Sequence, residues 1–211
     1  MNETIDYYEK NANDFVSSTQ RIDFHEIQDY FLSFIPKDGH ILDFGCGAGR
    51  DTKYFLDRGF SVEAIDGSEE MCKVASAYAG IKVRHMMFED LDEKGRYDGI
   101  WACASILHVP SLQLPGIIVK LAEALKPDGV MYISFKYGSF EGERNGRFFT
   151  DQTEESLKSI FDLVNRKMRD HRLETKRVWI TEDVREDRNK KWLNVLLERF
   201  NCSTSCGANK K

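Results

Sequence analysis

Asp43, Gly45, Gly47 and Gly49 close an apolar run in the stretch ILDFGCGAGRDT, and Asp66 closes another in VEAIDGS. Glycines alternating with small residues let backbone turn sharply and approach a ligand that no Cβ atom keeps away. One glycine is enough for a tight strand-to-helix turn, and three in alternation exceed that need. A dinucleotide loop reads G-x-G-x-x-G, and its third glycine would fall on Arg50. A guanidinium stem there is too bulky for the close helix–strand packing that a glycine permits. Asp43, at the strand's end, would repel a pyrophosphate but would hold an ammonium group or the loop's own N–H groups. An acid placed like Asp66 accepts from ribose hydroxyls in dinucleotide enzymes too, so it does not discriminate.

As D-x-G-x-G-x-G, Asp43, Gly45, Gly47 and Gly49 resemble motif I of the class I S-adenosylmethionine (SAM) methyltransferases. The resemblance runs over roughly residues 39 to 135. YDGIWACASILHVP is similar to that family's motif IV, and LKPDGVMYISF to the turn and strand after it. Within the family, the short chain is most similar to small-molecule methyltransferases, including the tellurite-resistance group. The resemblance implies SAM as cofactor, S-adenosyl-L-homocysteine as product, and methyl transfer by in-line displacement to a small-molecule acceptor.

The same resemblance implies positions for the cofactor. Gly45, Cys46 and Gly47 would line its methionine and ribose end, Asp66 would accept from both ribose hydroxyls, and Gly67 and Ser68 would follow the neighbouring backbone path. Met71 matches an apolar residue over the adenine, although a helix-core role reads equally well. The family's acid after the third strand is displaced in HMMFEDLDE; Phe88 would meet the ring through its backbone and Glu89 would reach the amino group. As plain surface charges, Glu89 and Asp90 are also well explained. Ala102 and Cys103 end the fourth strand beside the expected sulfonium, where small residues allow close approach. Packing explains Cys103 better than nucleophilic chemistry. Tyr7 and Tyr8 match an aromatic that folds over the cofactor in similar enzymes.

A sulfonium already carries its leaving group, so the protein mainly supplies position and desolvation, and a base is needed only for an acceptor that must lose a proton. His108, shortly after the fourth strand, is the histidine placed for that task; a backbone contact beside Pro110 is the competing reading. KYGSFEGERNGRFF, residues 136–149, has no clear periodicity and reads as a functional loop. In it Tyr137, Arg144 and Arg147 are candidates for the acceptor, the arginines for an anionic one through bidentate bonds. RKMRDHRLETKR interleaves acids with bases, with Trp179 as an exposed-aromatic candidate, and reads as a solvated helix end and strand more than a nucleic-acid surface. The rival functions are a tRNA or other macromolecule methyltransferase, an NAD(P)-dependent oxidoreductase, and a non-catalytic cofactor-binding protein.

These residues need a frame that brings strand ends together. HILDF, SVEAID, IKVRHM, YDGIWACA and LKPDGVMYISF read as strands, alternating with helices at RDTKYFLDRG, SEEMCKVASAYAG and LPGIIVKLAEAL. Ser68 is a natural N-cap, with Met71, Val74 and Tyr78 on one face behind it; Ile117, Leu121 and Leu125 form another stripe. EESLKSIFDLV reads as a helix, with closing strands at RLETKRVWITE and KWLNVLLERF. The expected fold is α/β, a Rossmann-like doubly wound sheet, mostly parallel with an antiparallel closing strand. Residues 1–36 would form an N-terminal helical extension or cap, 37–200 the SAM-binding methyltransferase domain and 201–211 a flexible tail.

The chain has 211 residues, 41% apolar and 31% charged, which suits one folded domain and not a disordered chain. A net charge of −5 argues against a nucleic-acid coat. The N-terminus lacks a signal-peptide pattern and no apolar run is long enough to span a bilayer, so a soluble cytoplasmic protein without a membrane partner is expected. Five cysteines, an odd number, suggest reduced thiols. No metal site is expected, since the CSTSC tail offers two thiols without a second pair.

Overall fold

The structure is a computed structural model and describes residues 2–184 and 190–201. Three helices come first: α1 (Asn2–Lys10), α2 (Ala12–Thr19) and α3 (His25–Leu32). Strands and helices then alternate through β1 (His40–Phe44), α4 (Arg50–Asp57), β2 (Ser61–Asp66), α5 (Glu69–Ala79), β3 (Arg84–His85), β4 (Tyr97–Ala102), α6 (Leu114–Ala124) and β5 (Leu125–Lys136). A short pair, β6 (Glu141–Arg144) and β7 (Arg147–Thr150), precedes α7 (Glu154–Lys167), β8 (His171–Glu182) and β9 (Lys191–Asn201).

Among the described residues the main sheet has seven strands in the order β3-β2-β1-β4-β5-β9-β8. Neighbours from β3 to β5 run parallel, while β9 is antiparallel to both β5 and β8. The sequence expectation of a mostly parallel sheet with one antiparallel closing strand therefore holds, with β9 inserted between β5 and the edge strand. β1 neighbours β2 on one side and β4 on the other, so strand order reverses at its carboxyl end, where a crevice opens in doubly wound sheets.

Each face of the sheet carries its own core. On one, Ile117, Leu121 and Leu125 pack with Leu42, Ile100, Ile133 and Leu157 of neighbouring elements. The other gathers Phe31, Phe55, Trp101 and Tyr132, with Trp101 stacked on Tyr132 at a 4.1 Å centroid distance. Burying rings of this size supplies most of the local stabilisation, about 2–3 kcal/mol each. Phe31 makes α3 part of this second core, so α1 and α2 alone remain to cover the crevice.

Three expectations change. The buried face of α5 is Met71, Cys72 and Ala75, and Tyr78 stands 41% exposed. A Cβ on Gly49 would lie 3.0 Å from Ala75, so the helix is turned to set its smallest residues against the glycine loop. Residues 136–149 are not an irregular loop. Lys136 ends β5, and Glu141–Arg144 pairs with Arg147–Thr150 as a hairpin closed by Asn145 and Gly146, at φ +52° and +72°. Two positive φ angles in a two-residue turn match the twist of antiparallel strands, for which Asn-Gly is the favoured pair. Trp179 is half-buried against Tyr30 and Tyr132 instead of being exposed. The CSTSC tail lies outside the described residues. No helix among the described residues is long and apolar enough to cross a membrane.

Candidate active site

At the carboxyl end of β1 the chain makes two hydrogen bonds to its neighbour, from Gly45 N and Cys46 N to the Ile65 carbonyl, at 3.0 and 2.9 Å. These pin the glycine loop to β2. Gly45 takes φ +81°, and a Cβ there would stand 2.5 Å from that of Ser105. Only glycine satisfies both demands. Asp66, ending β2, completes the turn: one carboxylate oxygen accepts from Gly47 N and the other from Ser68 N, both at 2.9 Å. Burial raises its pKa, and these backbone donors act against that shift. Each oxygen has two lone pairs, so each retains one for a further donor.

Asp43 does not hold the loop N–H groups, as its sequence position suggested. It is buried beneath them, accepts the Thr52 hydroxyl at 2.5 Å, and is raised to about 8 by burial and by the nearby Asp51 carboxylate. Its part is to tie β1 to the first turn of α4, and the loop's donor is Asp66's partner instead.

A cavity of about 220 Å³ opens above this loop. From the sequence expectations it brings together Tyr8, Gly45, Cys46, Gly47, Asp66, Gly67, Met71, Phe88, Cys103, His108 and Arg147. The Phe88 ring is stacked 4.5 Å from that of Phe44. Gly49, Ser68 and Ala102 support the wall from behind: Gly49 precedes α4, Ser68 Oγ caps α5 by accepting from Met71 N, and Ala102 is buried in β4. Glu89 is exposed and outside the wall, because the turn of 3-10 helix at Phe88–Asp90 points it to solvent. Burial pushes the Cys103 thiol up to about 12, which keeps it neutral and unsuited to nucleophilic attack.

Thr4, Ile5 and Tyr8 of α1 and Phe15 of α2 roof the cavity. The Tyr8 hydroxyl meets His108 Nε2 at 3.0 Å, and His108 Nδ1 lies 2.6 Å from the Phe148 carbonyl. A carbonyl only accepts, so Nδ1 carries the proton and Nε2 accepts from Tyr8. Burial lowers His108 to about 4, leaving a neutral imidazole at neutral pH. His108 thus lines the cavity and contacts backbone at Phe148, not beside Pro110.

Arg144 and Tyr137 fall outside the cavity. The Arg144 guanidinium is held by Asp151 and lies over Phe140, and Tyr137 is exposed with its hydroxyl on Glu154. The hairpin explains the difference, since Arg144 and Arg147 flank a two-residue turn and only Arg147 is carried under α1, over the Tyr7 ring. Sequence reasoning missed Lys136, Asp51, Ser105 and Ser134, which also line the cavity. Lys136 was readable, because it is the last residue of a parallel strand, where such sheets bind ligands. Asp51 accepts from its neighbour Arg50 and from Gln28 and Trp101, and the convergence of those two distant segments is something no local pattern announces.

The fold is that of the Rossmann-like methyltransferases. Residues 41–129, less than half of the chain, match the model of a family described as a methyltransferase domain. Over 99 residues, 44% of this chain, it is 35% identical to a ubiquinone biosynthesis O-methyltransferase of Rickettsia conorii and spans 34% of that protein. A protein of the same description from Xylella fastidiosa is 37% identical over 116 residues, of which this chain spans 46%. The chain thus covers between a third and a half of these curated relatives. The crystal structure of Burkholderia thailandensis 1,6-didemethyltoxoflavin-N1-methyltransferase, with its substrate and S-adenosylhomocysteine bound, superposes with a TM-score of 0.71 over 93% of this chain and 85% of its own. At 20% identity that likeness concerns the fold.

Proposed function

We propose that the protein is a SAM-dependent methyltransferase acting on a small-molecule acceptor. The observation that carries this reading is Asp66: two oxygens fixed by backbone N–H groups, beside a glycine loop whose Cβ-free face lines the cavity. The residues present fit the cofactor. Gly45 and Gly47 offer close backbone approach, Asp66 keeps two acceptor positions for ribose hydroxyls, and Met71, Met87 and Phe88 offer an apolar wall for a base. A dinucleotide fits less well, because Arg50 occupies the third-glycine position and is tied to Asp51.

When bound, SAM supplies an electrophilic methyl group on sulfur together with its leaving group. The chain supplies the rest. α1 and α2 exclude water over the loop, and Cys103 and Ser105 leave room beside it for an acceptor. His108 takes up a proton through the Tyr8 hydroxyl when the acceptor releases one; the neutral imidazole has no other free lone pair. Arg147 binds the acceptor from the β7 side. The net charge of −5 favours a small acceptor over tRNA. Cys46, Cys72 and Cys103 are free thiols, in keeping with a reducing, cytoplasmic setting.

Calorimetric titration of the protein with S-adenosylhomocysteine, run beside NADH and NADPH, tests the reading. Micromolar binding of S-adenosylhomocysteine alone, reduced at least 100-fold in a folded Asp66→Ala variant, is expected from losing hydrogen bonds to a charged group. Preferential binding of a nicotinamide cofactor would overturn the proposal.

A further inference from the structure

The cavity wall away from the glycine loop holds more positive charge than the protein neutralises. Lys136, at the end of β5, and Arg147, at the start of β7, both line it, and neither forms an ion pair among the described residues. The acids that share the wall are engaged elsewhere: Asp51 with Arg50, and Asp66 with the loop N–H groups. Glu182 and Asp183 also line the cavity.

Three cations meet one aromatic ring. Lys136 Nζ stands 3.6 Å from the Phe149 centroid, Arg144 Cζ 4.8 Å and Arg147 Cζ 5.2 Å. A ring face attracts one cation well, but three so close repel one another, and only Arg144 has a carboxylate, Asp151. Within this cluster two buried polar atoms lack any partner, Arg144 Nε and Arg147 Nε. Native interiors leave few such atoms unpaired, and each costs about 1–3 kcal/mol.

Resting on the methyltransferase reading above, we propose that Lys136 and Arg147 form an oxyanion subsite, and that the methyl acceptor is a small molecule anchored there by a carboxylate or comparable oxyanion. Its charge neutralises both cations, and its oxygens satisfy the Arg147 fork. A neutral acceptor leaves two desolvated cations unpaired, so the site discriminates by charge. Lys136 reports the same deficit: burial, then Lys190, Arg144 and Arg147, push it down to about 7 against the weaker pull of Asp151. An arriving anion restores its proton.

The test uses the full chain saturated with S-adenosylhomocysteine, titrated at pH 7 with benzoate, with its neutral isostere benzamide, and with inorganic phosphate. Benzoate or phosphate is expected to bind at least tenfold more tightly than benzamide. Lys136→Met and Arg147→Gln should each weaken that anion tenfold or more while leaving S-adenosylhomocysteine affinity unchanged, and Arg144→Gln should not. Titration in two buffers of different ionisation enthalpy should show uptake of about half a proton per anion, absent in Lys136→Met. If Arg147→Gln does not fold, Arg147→Lys serves, with a smaller loss because the charge stays and the fork goes. Anion binding no tighter than benzamide, or undiminished in Lys136→Met, overturns the subsite alone. Failure of S-adenosylhomocysteine to bind overturns the methyltransferase reading instead, so the two failures are distinguishable.

Discussion

The Tyr8 hydroxyl, on the first helix, donates to Nε2 of His108, one hundred residues further along the chain, at 3.0 Å. The bond joins the roof of the cavity to its floor. Since His108 Nδ1 is committed to the Phe148 carbonyl, the imidazole has one tautomer and one usable lone pair, and Tyr8 occupies it. Any proton that reaches His108 from an acceptor passes through the tyrosine oxygen.

His108 is therefore expected to remain neutral until well below pH 5. Its folded pKa of about 4 lies below the unfolded value of 6.5, so the stability it contributes is present above 6.5 and is lost as pH falls through 4. The pair of values corresponds to roughly 2–4 kcal/mol. Following the His108 ring protons by NMR as pH is lowered decides the matter. A midpoint near 6.5 would mean that the imidazole is solvated and that the Tyr8 bond does not persist.

Gly45→Ala is expected to damage both fold and site. The new Cβ would meet that of Ser105 at 2.5 Å, and φ +81° is costly for any side chain, about 1–3 kcal/mol. A melting temperature lower by several degrees and at least tenfold weaker S-adenosylhomocysteine binding should follow. The double variant Gly45→Ala/Ser105→Gly removes the collision but not the backbone strain, so calorimetry should show partial recovery. Full recovery would assign the whole effect to the collision.

What could be read from the sequence was whatever repeats locally. The strand–helix alternation, the Ser68 cap and the D-x-G-x-G-x-G loop each rest on neighbours in the chain, and the structure has all three. The acceptor side is built from residues far apart. Tyr8, His108, Lys136 and Arg147 meet only because the sheet orders its strands as it does. Asp43 misled for a related reason: a carboxylate at a strand end can face up to the loop or down to the helix, and Thr52 decides that it faces down. The hairpin was legible and overlooked, since Asn145-Gly146 between Arg144 and Arg147 is a strong short-range signal for a two-residue turn.

That turn is expected to matter for the acceptor more than for the cofactor. Gly146 at φ +72° sits next to Arg147 and beneath Tyr7, where a Cβ would be 3.3 Å from the ring. Gly146→Ala should cost about 1–2 kcal/mol in the left-handed conformation and displace the start of β7. Benzoate affinity of the S-adenosylhomocysteine-saturated protein should drop severalfold while S-adenosylhomocysteine affinity stays within twofold. Equal losses for both ligands would mean that the hairpin supports the whole cavity instead of one wall.

Asp51 is the junction between the cavity and the second core. It accepts from Gln28 Nε2 at 2.6 Å, from Arg50 Nε at 2.7 Å and from Trp101 Nε1 at 2.8 Å, so α3, α4 and β4 converge on one carboxylate. Asp51→Asn keeps the shape but removes the charge, leaving the largely buried Arg50 guanidinium, stacked 4.7 Å from the Phe24 ring, without its counter-ion. Breaking a buried pair from one side costs about 3–5 kcal/mol, which for a chain of this length lowers the melting temperature by roughly 6–20 °C. Arg50→Met in the same background removes the orphaned cation and should restore part of the loss in thermal unfolding. A single Asp51→Asn variant that melts within a degree or two of the parent would show that the convergence is incidental to stability. In that case α3 would be held by Phe31 and its aromatic neighbours alone.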